Sequence, residues 1–557
     1  MNIYHPNETV DIPELDLLSV LFGNDVCYTT EDRIIHAEAD DPSVSLTRAQ
    51  ARSWTKRIAY LLRYQYGVGI DGPGKDVVGV FSTGQVALPI LFYSVIAAGG
   101  VYSAASVAYT PSELTRQLKN GPANLLICSA DLLNEAIAAA KQSGISLDRV
   151  LAVGSRPNIA LRTALGQTVP IPKTELSWTK VTDLPTLSSL PICLLYSSGT
   201  TGLPKGVTIT HRNIVAAAVP VILSLKKWDR AQQAQGMPPF DYKAIAHLPG
   251  SHIAGVQCQV VNPTMANGTM YWMPRFDFQK FLEYNKAYRT EWLLTVPPIW
   301  LLILKTPTVT DQFAKLRIAL SGAAPFGREP QKAVSKKLAA ATSRETSVQQ
   351  IWGLTETTGA ATWVPFGEKD DSGSVGWLFP NTQARIVDEQ GHDVPKGEQG
   401  EIWIKGPITS SGYHNNPIAT QEGYYEDWLR TGDIGFFRDN KFFCVDRKKE
   451  LIKYKGLQVA PAELEALLTT HPQVSDVAVI GVESEDTELP RAYVVADESK
   501  VNEQELKDFV KDNLAPYKQL RGGVRFVKSI PKVPSGKILR RELKELAKLE
   551  KQRVSKL

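Results

Sequence analysis

From Asp76 to Gly154 short apolar runs alternate with helical patterns. The runs "DVVGVFS", "NLLICS" and "RVLAVG" have the length of strands, while "PSELTRQLKN" and "ADLLNEAIAAAKQSG" place apolar residues at helical spacing. Strands buried on both faces read as continuous apolar runs, so the alternation predicts a parallel sheet with helices packed on it. The pattern returns in "KAIAHLP", "FDFQKFLEYNKAY", "EWLLTVPP", "KLRIALSGAAP" and "REPQKAVSKKLAAAT", which predicts a second sheet of similar build. Between Val375 and Lys405 the period changes. "TQARIVDEQGHDVPKGEQGEIWIKG" alternates polar and apolar residues around Gly-containing turns, the pattern of antiparallel strands. Farther on, "APAELEALLTTHP", with Pro461 near its start, predicts a helix, and "DVAVIGV" and "RAYVVAD" predict strands.

The expected fold class is therefore α/β. A large N-terminal domain, residues 1–445, has two layered α/β subdomains and a small β-subdomain. A hinge at 446–449 falls in the charged segment Asp446 to Glu450, and a small α+β C-terminal domain covers 450–557. Val77 to Ser112 contains no charged residue, but Gly84, Pro89, Gly99 and Gly100 interrupt it. That segmentation predicts a buried strand–helix–strand unit and no membrane span.

Composition narrows the class only slightly. Of 557 residues, 43% are hydrophobic and 22% charged, which is ordinary for a soluble globular chain. A formal charge of +4 with no basic block interleaved with aromatics argues against nucleic acid as a partner. The five cysteines, Cys27, Cys128, Cys193, Cys258 and Cys444, are scattered and form no CxxC, which points to a reducing compartment without disulfides or a zinc site. The N-terminus has neither a basic region nor a hydrophobic run, which argues against a secretory signal. The terminal Ser555-Lys556-Leu557 reads as a peroxisomal address, with an import receptor as partner and the peroxisome as location.

One stretch raises a chemical question. "YSSGTTGLPKGVTITH", Tyr196 to His211, gathers glycines and hydroxyl residues around the single cation Lys205. Glycine permits close backbone approach, Ser and Thr donate hydrogen bonds and lysine neutralises charge, which together suit a polyphosphate. It is not the kinase-type phosphate loop, because Gly206 and not a hydroxyl residue follows the lysine. A plain turn between the strand-like "ICLLYSS" and the helical "RNIVAAAVPVILSL" has the same composition, so the loop alone leaves both readings open.

The loop is the first of an ordered series: "YSSGTTGLPKGV", "HLPGSHIAG", "SGAAP", "IWGLTETTG", "YYEDWLRTGDIGFF", "VDRKKELIKYKGLQVAPAELE" and "PKVPSGKILRREL". From about residue 50 to the C-terminus this series resembles the adenylate-forming superfamily of acyl-CoA ligases and firefly luciferases, most closely the coumarate-CoA ligase and luciferase branch. The resemblance implies ATP, Mg2+ and CoA as cofactors and a carboxylic acid as the small-molecule substrate. Ser197, Ser198, Gly199, Thr200, Thr201, Gly202 and Lys205 would wrap the β- and γ-phosphates of ATP. Thr355 would meet the α-phosphate and Glu356 the Mg2+, while Trp352, where tyrosine is most common, would lie against adenine, and Gly353 would belong to the same nucleotide-binding stretch. Asp433 would accept hydrogen bonds from both ribose hydroxyls, with Arg447 as a second ribose contact.

The resemblance gives the lysines separate work. Lys537 would serve the first half-reaction, in which the acid becomes an acyl-adenylate. Lys453, with Lys455, Gly456 and Gln458 of the "KGLQVAP" loop, would serve the second, in which the acyl group passes to CoA. Lys449 would be the point about which a mobile C-terminal domain turns. Carboxylate attack on a phosphate brings two anions together, and an ammonium offsets their repulsion. Ser251, His252, Gly322, Ala323 and Ala324 would line the acyl pocket, with His252 not a metal ligand. Small residues there suit a bulky aromatic or a chain, so the expected activity is ATP-dependent ligation of an aryl or fatty-type acid to CoA. A related enzyme passing its acyl-adenylate to a carrier-protein thiol, an amine or oxygen remains open, as does a non-catalytic acyl-adenylate-binding protein on the same fold.

Overall fold

The computed structural model describes residues 2–23, 25–197, 204–342, 344–455, 457–484, 487–533 and 536–554. The expected positions Ser198, Gly199, Thr200, Thr201, Gly202 and Gly456, and the terminal Ser555 to Leu557, lie outside these residues.

An eight-stranded sheet holds the first layer. Five strands run parallel in the order Pro191–Ser197, Val101–Ala104, Val77–Phe81, Ala123–Ser129 and Val150–Gly154. Antiparallel strands close both sides: Lys205–Thr210 on one, Ala160–Thr163 and Thr168–Val169 on the other. The helix Ala87–Ala97 packs on this sheet with every residue buried, which explains its uncharged sequence. Among the described residues no helix is long and apolar enough to cross a membrane.

The second layer differs from expectation, since it is two sheets. Trp292–Thr295, Ile318–Ser321 and Val348–Gln350 form one parallel sheet. Lys243–Ala246 instead pairs with Thr269–Trp272, which pairs with Ile34–Glu38 from near the N-terminus. The period of a strand fixes which face it buries but not its neighbour in the sheet, and here the neighbour lies more than 200 residues away in sequence.

The β-subdomain also runs beyond Lys405. Gln383–Val387 pairs with Gly400–Lys405, which pairs with Trp428–Arg438, and Lys441–Arg447 follows on the far side. Asp446 and Arg447, expected in the hinge, belong to this last strand, and the turn occupies 448–450.

The C-terminal part is built on the antiparallel pair Val474–Ser484 and Thr487–Ala496, joined in parallel by Val524–Phe526. Val477 and Val479 face the helices Pro461–Thr469 and Glu503–Asn513, while Ala478 and Ile480 face the helix Arg540–Val554. Burial on both faces is why "DVAVIGV" shows no polar alternation. The hairpin Ile452–Tyr454 and Leu457–Val459 packs on this core through Ile452 and Val459, both fully buried.

Candidate active site

The glycine- and hydroxyl-rich loop lies between two antiparallel strands, Pro191–Ser197 and Lys205–Thr210, and not between a strand and a helix. The sequence of the second strand, "KGVTIT", leads directly into the helix His211–Ala234 through a Thr210–Asn213 capping box. Its outer edge is bonded by the segment 412–414: Thr208 N donates to Gly412 O at 2.9 Å and His414 N to Gly206 O at 2.7 Å. This pairing brings Tyr413, which nothing in "SSGYHNNP" singles out, beside Lys205, whose ammonium lies 5.0 Å from the ring centre.

"IWGLTETTG" is a β-hairpin with Thr355 and Glu356 in its turn. Trp352–Leu354 pairs with Gly359–Trp363, and the close crossing demands glycine at 353, where a Cβ would lie 1.8 Å from Gly359 O. The turn is held by Thr357, whose hydroxyl accepts from Leu354 N at 2.8 Å and donates to Gly359 O at 2.7 Å. Thr355 and Glu356 are presented at its tip. Glu356 Oε1 accepts from Ser197 Oγ at 3.0 Å and from the Tyr413 hydroxyl at 2.9 Å. Ser197, which ends the first strand, and Tyr413, which lies against Lys205 at the start of the second, thus converge on one buried carboxylate.

A second buried carboxylate stands beside it. Asp433, 3% exposed, has both oxygens engaged: Oδ1 by Arg447 Nε at 2.7 Å and Oδ2 by the Trp352 indole N–H at 2.7 Å. Asp433 and Arg447 are cross-strand partners in register, so strand pairing alone brings them together. Burial raises the Asp433 carboxyl above its ordinary value, against the opposing pull of Arg447 and Trp352. Trp352 is the residue sequence reasoning placed at adenine, and the structure adds a polar role for its edge.

Lys537 reaches the same region. Burial, then the nearby Arg447 charge, lowers its ammonium below the ordinary lysine value, while Glu450 and Asp433 oppose that shift. His252 is pushed down to about 4, first by burial and then by the charge of Lys537. His252 also caps the next helical turn, its Nδ1 accepting from Ala254 N at 3.2 Å. Lys537, His252, Asp433, Arg447 and Glu356 are therefore one electrostatic neighbourhood. By contrast Lys453, Lys455 and Gln458 are exposed on the hairpin Ile452–Tyr454 and Leu457–Val459, where the Lys453 and Lys455 N–H groups donate to Glu488 and Thr487. Lys449 is exposed in the turn.

Next to this polar group an apolar cavity, partly open to solvent, runs into the large domain. His252, Trp352 and Gly353 stand in its wall, with Trp292, Phe366, Val221 and Cys258 among the others. Gly322 and Ala323, which the resemblance assigns to an acyl pocket, also stand in this wall. Ser251 and Ala324 do not: Ser251 precedes the turn that points His252 inward, and Ala323, at φ 71°, turns the chain so that its successor leaves the wall.

A deep apolar cavity opening onto buried carboxylates, a glycine-rich hairpin and a half-buried lysine is the arrangement of an enzyme that couples an acid to a nucleotide. The sequence profile of the AMP-binding enzyme family matches residues 25–414, and that of the AMP-binding enzyme C-terminal domain matches 463–537. The chain belongs to the AMP-binding enzyme family, that is, to the adenylate-forming superfamily. It is 46% identical over 561 residues, all of both chains, to a protein of Emericella nidulans named as an acyl-coenzyme A synthetase. It is 35% identical over 549 residues, 96% of this chain and 98% of the relative, to the phenylacetyl-CoA ligase epaB of Aspergillus niger. The ATP-bound structure of MatB from Rhodopseudomonas palustris superposes with a TM-score of 0.79 at 26% identity, covering 95% of this chain and 98% of that one.

Proposed function

We propose that the protein is an AMP-forming acid–CoA ligase that activates a bulky aromatic or chain carboxylic acid with ATP. The observation that carries this is the shared wall between the two compartments: Trp352 lines the apolar cavity with its ring and holds Asp433 with its N–H. An acid seated in the cavity would place its carboxylate where the polar group begins. The carboxylate attacks the α-phosphorus of ATP, an O–P bond forms, and the bond to pyrophosphate breaks. Lys205, Ser197 and the loop 198–203 would neutralise the departing pyrophosphate, Thr355 would meet the α-phosphate, and Lys537 would offset the repulsion between the two anions. Asp433 and Arg447 would hold the ribose.

Glu356 fits the role of Mg2+ ligand. Among the described residues no group of three or more His, Cys, Asp or Glu side chains forms a metal cage, and Mg2+ characteristically takes one or two carboxylates together with substrate phosphates and water. When bound it would shield the charge on the phosphates. In the second half-reaction the thiol of CoA attacks the acyl carbon and the C–O bond to AMP breaks. Lys453, Lys455, Gly456 and Gln458 would reach the site by a turn of the C-terminal part about Lys449.

The test is pyrophosphate release with Mg·ATP over aryl, medium-chain and long-chain acids, with and without CoA, and product identification by mass. An acyl-CoA product from one acid class supports the reading; pyrophosphate release with an adenylate that never reaches CoA would redirect it to another acceptor. A second expectation concerns Trp352. In Trp352→Phe the cavity wall keeps an aromatic ring while Asp433 loses a donor, so KM for ATP should rise about tenfold, the scale of one hydrogen bond to a charged group. Titrating ATP at saturating acid checks this; an unchanged KM for ATP would detach Trp352 from the nucleotide.

A further inference from the structure

Glu356 is held in two places by different groups. Its main chain is fixed by the segment after the strand Gly400–Lys405, where Ser410 N donates to Glu356 O at 2.8 Å. Its side chain is turned by Ser197 and Tyr413, which both donate to Oε1, at 3.0 and 2.9 Å. The other oxygen, Oε2, accepts from no described residue and keeps contact with solvent. One oxygen is thus engaged by the protein, and the second is left for what enters the site.

Tyr413 is itself placed without help from its hydroxyl. Its N–H donates to Thr420 Oγ1 at 2.9 Å, and it stands opposite Val207 on the edge of the strand Lys205–Thr210. Its ring faces the Lys205 ammonium, 5.0 Å from the ring centre and within the range of a cation–π contact. One side chain therefore touches both the loop's cation and the buried carboxylate. Ammonium and carboxylate attract, and a Lys205–Glu356 pair would occupy together the two charges that a metal-bearing polyphosphate needs free. On the ring, Lys205 has a neutral partner that it can leave. Of the two donors to Oε1, Ser197 opens the glycine- and hydroxyl-rich loop and carries a hydroxyl that the resemblance assigns to phosphate; Tyr413 has no such second duty.

We propose that Tyr413 is a positioning residue for adenylation: its hydroxyl turns Glu356 so that Oε2 faces the metal ion carried by ATP, and its ring keeps Lys205 from closing on that carboxylate. The inference rests on the ligase reading above, which takes Glu356 as the Mg2+ ligand and Lys205 as a phosphate contact. A hydrogen bond from an outer group fixes the orientation of a metal-binding side chain, and its loss characteristically weakens metal binding by about 10- to 100-fold.

The experiment measures binding to the full-length protein, with neither acid nor CoA present. The nucleotide is α,β-methylene-ATP, which cannot release pyrophosphate, and the metal is Mn2+, followed by electron paramagnetic resonance. Tyr413→Phe keeps the ring and removes the donor. Affinity of the protein–nucleotide complex for Mn2+ should fall on the order of 10-fold or more, while nucleotide affinity in EDTA and the melting temperature of the free protein stay at the wild-type values. Tyr413→Leu removes the ring as well and should lower nucleotide affinity in EDTA by about two- to fivefold, the scale of an exposed cation–π contact, as Lys205 turns to Glu356. Tyr413→Met makes the same test should the leucine variant fold poorly. Wild-type Mn2+ affinity in Tyr413→Phe would overturn the positioning role, and so would parallel losses of Mn2+ affinity, nucleotide affinity and melting temperature, which mark a merely structural residue. Leucine and methionine variants that bind nucleotide in EDTA as tightly as Tyr413→Phe would overturn the part given to the ring. Wild-type protein that binds no nucleotide would sink the ligase reading and the inference together.

Discussion

Replacing Lys537 by alanine is expected to slow adenylation by on the order of 100- to 1000-fold, the scale of losing one preorganised charge, while thioester formation from a supplied acyl-adenylate survives. Lys537 lies in the neighbourhood of His252, Asp433 and Arg447, whereas Lys453 is exposed on a hairpin whose backbone bonds face Glu488 and Thr487. In this arrangement only the first lysine is in place for chemistry at the cavity mouth. Lys453→Ala should reverse the pattern, sparing pyrophosphate release and slowing acyl transfer. The two half-reactions, assayed separately, decide it; equal losses in both assays for either variant would refute a division of labour. Burial has lowered the Lys537 ammonium below the ordinary lysine value, so adenylation should also fail on the alkaline side earlier than an exposed lysine would allow. Lys537→Arg, which stays protonated, should carry that limb to higher pH even where its rate is poor.

The second large effect is one of stability. Arg540 opens the last helix three residues after Lys537, and its guanidinium joins Glu450 Oε2 at 2.8 Å and both Glu465 oxygens at 2.7 Å. Asp446 contributes a third nearby carboxylate and accepts from Ala462 N at 2.9 Å. Arg540→Met keeps the apolar stem but leaves this acidic group without its cation, which should destabilise the C-terminal part by about 3–5 kcal/mol, the scale of breaking a buried pair by removing one member. The loss should depend on pH. Burial pushes Glu465 up to about 7 against the pull of Arg540. A carboxyl whose folded value exceeds its unfolded one binds more protons when folded, so stability falls as pH rises between about 4.5 and 7, and removing Arg540 widens that window upward. Hydrogen exchange across the strands Val474–Ser484 and Thr487–Ala496 should therefore show more opening in the variant at pH 8 than at pH 5. A pH-independent difference would mean that packing, and not charge, holds the segment.

Much of this architecture was legible in the sequence because burial leaves a period. Continuous apolar runs predicted the parallel strands, and the alternation after Val375 predicted the antiparallel ones. Partner choice leaves no such trace, so the pairing of Ile34–Glu38 with Thr269–Trp272 and the split of the second layer went unread. The ordered motifs indicated the family, but two features of the site depend on long-range geometry: Tyr413 reaches Glu356 only because its segment bonds to an edge strand, and Trp352 reaches Asp433 across 81 residues. Ser251 and Ala324 show the converse error, since adjacency to a wall residue in sequence does not place the next side chain on the wall.

The register of Asp433 opposite Arg447 has one more consequence. Both belong to the sheet of the large part and lie before the turn at 448–450, so a rotation about that turn leaves them where they are. On the proposed ligase reading, an intermediate gripped there by its sugar would stay moored while the tools around its other end are exchanged, and its reactive anhydride would have little opportunity to drift into bulk water. Leakage of free acyl-adenylate should accordingly be governed by this stationary pair and not by how fast the smaller part turns.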